Sequence, residues 1–221
     1  MLSVVIPTLN AGQTLAASLA GLGDPARFGE IVVSDGGSLD DTLAVARAAG
    51  AQVVTGAQGR GPQLRLGAMR ARGDWLLFVH ADTRLSSGWY GTVVDHIGRQ
   101  PGQAGYFRFA LDDAAAPARR VERLTQWRCR ILALPYGDQG ILISRSLYDA
   151  VGGFNHMPLM EDVDLVRRIG RGRLTLLDCA AVTSAARYRR DGWWSRPIRN
   201  LAILTLWHLG VAPTRLVKLY R

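Results

Sequence analysis

Trp75-Leu76-Leu77-Phe78-Val79 is apolar at every position, and no other segment restricts the fold as much. A strand with one wet face alternates apolar and polar side chains. An unbroken apolar run implies cover on both faces, as in parallel sheets flanked by helices. The preceding sequence supplies the neighbours. Short apolar runs at residues 3–7, 30–34 and 51–55 predict three more strands. Between them, Leu15, Leu19 and Leu22 recur at helical spacing after a turn around Asn10–Gly12. Asp40 and Asp41 are expected in the first turn of a second helix that runs through Ala48 and stops at Gly50, because carboxylates suit the positive end of a helix dipole. Gly59-Arg60-Gly61-Pro62 opens a third helix, with Pro62 near its first turn. Strands alternating with helices predict an α/β fold with a doubly wound, mixed but mostly parallel sheet. Such sheets bind ligands at the carboxyl ends of their strands. Asn10, Asp35 and Asp82 follow strands directly, which puts them on one rim.

The second half is less regular. Residues 106–111 and 140–144 read as strands, 114–134 as an Arg-rich helix and 161–168 as another helix. From Gly192 onward, Trp193, Trp194, Trp207 and Tyr220 stand among aliphatics and Arg. That mixture suits a helix closing the domain, a homodimer contact, or an interfacial helix resting on a membrane through residues 193–221.

At 221 residues, 48% of them hydrophobic and 20% charged, the chain suits one globular domain. The formal net charge is +9, carried by 26 Arg and the single Lys218. A basic protein is drawn to nucleic acid, acidic headgroups or a pyrophosphate. Nucleic acid is disfavoured, because no recognisable module interleaves the positive charge with base-stacking aromatics. Cys129 and Cys179 have no metal-type spacing and suit a reduced compartment as small core residues. The N-terminus lacks the basic and long apolar regions of a secretory signal, and no run reaches the length of a spanning helix. A cytoplasmic protein is expected, or one peripheral at the inner face of the membrane.

Three acidic positions carry the chemistry. Asp35 ends a strand before Gly36-Gly37-Ser38, where a carboxylate can accept hydrogen bonds from a base or ribose. Asp82, in His80-Ala81-Asp82-Thr83, can hold a hard divalent cation that binds the two phosphates of a nucleotide sugar. Glu161 and Asp162 open a helix. Taken singly, each fits a turn or a helix start at least as well.

Taken in order, they form a pattern. The carrying residues are Val5-Ile6-Pro7-Thr8-Leu9-Asn10, Asp35-Gly36-Gly37-Ser38 with Asp41-Thr42, Gly59-Arg60 with Gln63, and His80-Ala81-Asp82-Thr83. Gly137-Asp138-Gln139-Gly140, Gly152-Gly153-Phe154 and Glu161-Asp162 follow. This set resembles the inverting family 2 glycosyltransferases of the GT-A fold. The closing Gly210-Val211-Ala212-Pro213, ahead of Leu216 and Tyr220, resembles a small bacterial subgroup often associated with arsenosugar-type biosynthesis.

The resemblance implies a catalytic domain over 1–190, with a nucleotide-binding half (1–84) and an acceptor half (85–190), and a helical tail over 191–221. It implies that Pro7, Thr8 and Asn10 wall the nucleotide pocket and that Asp35 and Gly36 meet the base, commonly uracil. Arg60 and Gln63 would line the donor cleft, and Asp138 and Gln139 would face a sugar or acceptor. Asp82, the last acid of an Asp-x-Asp motif, would bind Mn²⁺ or Mg²⁺, and Asp162 would be the catalytic base beside Glu161. His80 stands where the motif has its first Asp, so the metal site loses a carboxylate. Arg187 is the choice within a basic run for pairing with diphosphate. The implied partners are a nucleotide-sugar donor, UDP-linked, and an acceptor the sequence does not identify. A degenerate fold kept as a nucleotide-sugar binder or assembly partner is the alternative, with His80 as its support.

Overall fold

The computed structural model describes residues 1–220. Its centre is an eight-stranded sheet in the order β3-β2-β1-β4-β7-β6-β8-β5. Strands β1 (Leu2–Thr8), β2 (Gly29–Asp35), β3 (Gln52–Thr55) and β4 (Trp75–Phe78) are mutually parallel, joined by helices α1 (Gly12–Leu22), α2 (Thr42–Ala48) and α3 (Arg60–Arg70). Strand β7 (Ile141–Ser144) runs antiparallel to β4 and carries the sheet onward through β6 (Ala104–Leu111) and β8 (Leu174–Thr183) to β5 (Thr83–Leu85). The remaining helices are α4 (Trp89–Arg99), α5 (Ala116–Leu132), α6 (Arg145–Ala150), α7 (Glu161–Ile169), α8 (Ala186–Asp191), α9 (Ser195–His208) and α10 (Pro213–Tyr220). The mixed, mostly parallel α/β sheet expected from the sequence is the one observed.

The apolar run at 75–79 is covered on both sides. Leu76 and Phe78 enter one core with Leu64 of α3, Val163 and Val166 of α7 and Ile203 of α9. Trp75 and Leu77 enter the opposite core with Leu15 and Leu19 of α1 and Val93 of α4. Each such buried side chain contributes about 1.5–3 kcal/mol from water exclusion, which is why this strand tolerates no polar residue. The terminal helices belong to the first core, because Ile203, Leu204 and Leu216 are buried in it. The helical tail expected over 191–221 therefore packs against the sheet's first core. Arg221 and the side chain of Tyr220 lie outside the described residues.

Asp40 and Asp41 stand ahead of α2, not in its first turn. Asp40 instead accepts hydrogen bonds from the Gly12 and Thr42 amides, both at 3.0 Å, and from the Thr42 hydroxyl. Its carboxylate clips the turn after β1 to the turn after β2.

Candidate functional site

Two cavities meet on the carboxyl rim of the sheet. The outer cleft, about 880 Å³, is walled by Pro7, Thr8 and Asn10 after β1, by Gly59, Arg60 and Gln63 at the start of α3, and by His80 and Asp82 after β4. The inner chamber, about 100 Å³, is lined by Tyr136, Asp138 and Asp162, with Arg196 and Asn200 of α9 on its far wall. Arg60, His80, Asp82, Ser184 and Arg187 border both. They form the neck.

The outer cleft owes its shape to side chains that face away from it. Asn10 adopts a left-handed φ of 50°, a conformation Asn tolerates better than most residues. Its side-chain oxygen accepts from the Leu39 amide at 2.9 Å, and its own amide donates to the Ser38 hydroxyl at 2.8 Å. Asp35 and Gly36 are not among the residues that line the cleft, and Asp35 is buried behind its wall. The Asp35 carboxylate is fully buried and takes four hydrogen bonds, from the Thr8 and Ser38 hydroxyls and the Gly37 and Ser38 amides. Burial pushes this carboxyl up, but the Ser38, Thr8 and Gly37 donors outweigh it and hold it below the usual carboxylate range. The Gln63 amide borders the cleft yet is spent on bracing it, donating to the Thr8 carbonyl at 2.5 Å and the Ser34 carbonyl at 2.9 Å.

Around the inner chamber the polar groups are less satisfied. Helix α7 begins after Met160, which is held at a left-handed φ of 70°. That bend sets Asp162 in the wall of the chamber, while Glu161 beside it lines neither cavity. Glu161 is buried, with Arg60 Nε 3.0 Å from its Oε1. Burial raises its carboxyl to about 7, Asp162 pushing the same way and Arg60 opposing. Asp162 accepts from the Gly137 amide at 2.6 Å and from the Val163 amide at 2.8 Å, so its carboxylate is fixed by backbone on two sides. Gly137 is glycine for a steric reason. A Cβ there would lie 2.7 Å from His80 Nε2 and 3.2 Å from Asp162 Oδ2.

Burial pushes the His80 imidazole down to about 4, Arg60 and Arg187 helping and Asp82 and Asp162 resisting, so the ring is neutral near pH 7. Asp138 is pushed up to about 6, mainly by burial, and its Oδ1 has no hydrogen-bond partner. The companion expected beside it, Gln139, lines neither cavity. Its side chain is buried, donating to the Phe107 carbonyl at 3.1 Å and accepting from Cys129 at 3.1 Å and Arg128 at 3.2 Å. Arg187 lines the neck, its Nη2 3.7 Å from Asp82 Oδ2.

Among the described residues no three His, Cys, Asp or Glu side chains gather as a ready-made metal cluster. A hard divalent cation does not require one, since Mg²⁺ commonly takes one or two carboxylates and completes its shell with substrate phosphates and water. Asp82, only loosely approached by Arg187 and standing at the neck, suits that arrangement.

Sequence reading missed Tyr136, Ser184, Tyr188, Arg196 and Asn200 as lining residues. The 196, 200, 203 spacing on α9 is one helical stripe and was the available signal.

Comparison with known proteins agrees with this architecture. S. aureus TarS 1–349 superposes with a TM-score of 0.66 at 18% identity, over 91% of this chain and 64% of that one. The chain thus spans just under two thirds of that relative. Glucosyl-3-phosphoglycerate synthase from Mycobacterium tuberculosis, solved with Mn²⁺, UDP and glucosyl-3-phosphoglycerate, gives 0.59 at 20% identity, over 83% of this chain and 70% of that one. TarS 1–349 has also been solved with UDP-GlcNAc. At these identities the likeness establishes the fold, of the GT-A type. No curated protein sequence matches the chain. The sequence profile described as glycosyl transferase family 2 matches residues 3–155, a span that holds most of the outer cleft's wall and Asp82 and ends before Glu161 and Asp162. With that match laid over this rim, the chain belongs to glycosyl transferase family 2.

Proposed function

We propose that the enzyme takes its sugar from a nucleotide-sugar donor, UDP-linked, and passes it to a hydroxyl group of an acceptor held in the inner chamber. One observation carries the reading. The two cavities meet only at a neck of opposite charges and a neutral imidazole, while Asp162 lines the inner one alone. A donor laid along the outer cleft would bring its diphosphate to Arg60 and Arg187 and its anomeric carbon to the neck. Relatives solved with UDP, UDP-GlcNAc and Mn²⁺ support that choice of donor.

In this reading Asp162 takes the proton from the acceptor hydroxyl as its oxygen attacks the anomeric carbon opposite the leaving group. Inversion follows from that single displacement. The Gly137 amide holds the carboxylate so that its remaining lone pairs face the chamber. His80, being neutral, donates or accepts a hydrogen bond at the neck and supplies no charge there. Arg60 and Arg187 answer the charge on the departing diphosphate, with a planar fork suited to its oxygens. Mn²⁺ or Mg²⁺, held by Asp82, would supply further offset of that charge. The acceptor is left as a hydroxyl compound, because nothing in the chamber singles out an arsenosugar-type product. The two cysteines are free and buried, which supports placement in the cytoplasm.

Calorimetry with UDP and UDP-sugars, followed by turnover assays with and without Mn²⁺, tests the proposal. Donor binding that weakens in Asp82→Ala and on chelation, with turnover on at least one donor, is the expected result. Binding without turnover across the panel would leave a nucleotide-sugar binder in its place.

A further inference from the structure

The acceptor side of the molecule carries an exposed apolar face. On α5, Leu124, Trp127 and Ile131 are 48%, 59% and 52% exposed, and around α9 Trp194, Ile198 and Leu201 are 54%, 63% and 62% exposed. Each trio recurs at helical spacing and forms a stripe. The two helices lie along one side of the protein. Trp193 and Trp194 share a hollow with Pro117, Arg120 and Val121 of α5. At their other ends, Arg171 donates to the Arg130 and Ile131 carbonyls of α5, and Arg167, on the neighbouring α7, lies over Trp207 of α9. The same α9 walls the inner chamber with Arg196, Asn200 and Ile203, and Tyr136, just beyond α5, walls it too. The stripes therefore flank the chamber.

Charge on this side is mostly positive, although Arg196 and Arg199 of α9 are paired with Asp191. Helices α5, α9 and α10 together hold nine Arg and Lys and one acid, Glu122, a net +8 out of +9 for the whole chain. Glu122 is buried and pairs with Arg119 at 2.5 Å, so it does not dilute the exposed surface. Arg120, Arg123 and Arg130 on α5, and Arg215 and Lys218 on α10, are all exposed. No described helix is long and apolar enough to cross a membrane, and these have the amphipathic character of helices that lie in an interface.

We propose that this face docks on an anionic lipid bilayer, with Trp127 and Trp194 at headgroup level and the surrounding arginines against lipid phosphates. Tryptophan suits that depth because its ring is apolar and its N–H seeks a polar partner. Basic residues near an anionic leaflet each contribute about 1 kcal/mol of attraction. A second copy of the chain is a poor occupant, since two like faces would set the exposed Arg120, Arg123, Arg130, Arg215 and Lys218 against the same cations with no exposed acid on these helices to answer. Docking turns the inner chamber toward the bilayer and gives the enzyme access to hydroxyl acceptors carried there. The docking itself stands independently of the donor assignment.

Co-sedimentation with vesicles of equal parts phosphatidylcholine and phosphatidylglycerol, against phosphatidylcholine alone, tests it. Binding to the anionic vesicles, weakening with salt, is expected. Arg120→Ala/Arg123→Ala should weaken it by about tenfold or more, and Trp127→Ser/Ile198→Ser should weaken it too. Met69→Ser, an exposed apolar residue on α3, should leave it unchanged. Melting temperature and UDP affinity, measured without lipid, confirm that the variants are folded and report separately on the donor site. Absence of binding, equal binding to both vesicle types, or parent-like binding by both double variants would overturn the proposal. So would a dimer that Trp127→Ser dissolves in a protein indifferent to vesicles.

Discussion

The two halves of the sheet treat most of their polar groups in opposite ways, Ser34 Oγ on β2 being a buried exception. In the parallel half, Asp35, Asp40 and Gln63 have their side chains committed to neighbouring turns and strand ends. In the antiparallel half, Asp138 and Asn200 keep a buried oxygen without a hydrogen bond, and Glu161 has lost water and kept a high proton affinity. An unsatisfied buried polar group costs about 1–3 kcal/mol. That cost accumulates around the chamber proposed for the acceptor. The parallel half spends its side chains on making backbone rigid, and a rigid rim is what a nucleotide needs. The antiparallel half leaves hydrogen-bonding capacity open for a partner.

Substitutions can break that contrast. The largest effect belongs to Asp162→Asn, which should lower turnover by about 10²–10⁴ while donor affinity, read by calorimetry, stays near that of the parent. Equal loss of donor binding would return Asp162 to the rim's architecture. Gly137→Ala comes next, because its methyl group must displace His80 or Asp162. Misplacement on that scale costs up to about 10² in kcat with a smaller effect on melting.

Asp35→Ala should behave as a scaffold lesion, removing about 1–3 kcal/mol of stability by stranding its buried donors. A variant that melts like the parent but no longer binds UDP would show that Asp35 meets the base after all. The smallest effect is expected from Asp138→Asn, and it has a sign. The Asp138 carboxyl sits at about 6 when folded, above its unfolded value of 3.8, so the folded chain binds the extra proton between those limits. Stability from this group is present at the acid end and is lost as pH rises through that window. The melting temperature of Asp138→Asn relative to the parent should therefore climb by a few degrees from pH 4 to 6 and level off above. A flat difference would place Asp138 among the satisfied groups of the other half.

What was legible in the sequence follows the same division. The central parallel strands β1 and β4 announce themselves through apolar runs, because burial on both faces leaves little choice of residue, and β2 and the edge strand β3 do so through shorter ones. Strand β8 does not, since it is only partly covered and its register shifts opposite Phe107 and Arg108. Strand β5 has three residues and no period to read. Motif order brought Asp82 and Asp162 to one chamber, yet it could not show that Asp35 and Gln139 face inward to brace the wall. Hydrogen-bond commitment is a property of neighbours distant in the chain. Arg196 and Asn200 escaped notice because the helix bearing them returns to the site from beyond residue 190.

That return has a practical consequence. A protein cut after residue 190 would keep all eight strands, Asp82 and the outer cleft apart from Val217, yet it would uncover part of the first core and lack one wall of the compartment proposed for the acceptor. With that side open to solvent, water would compete for the activated sugar. Such a truncation should trade synthesis for wasteful cleavage of the donor, which makes the last helices guardians of the product's identity.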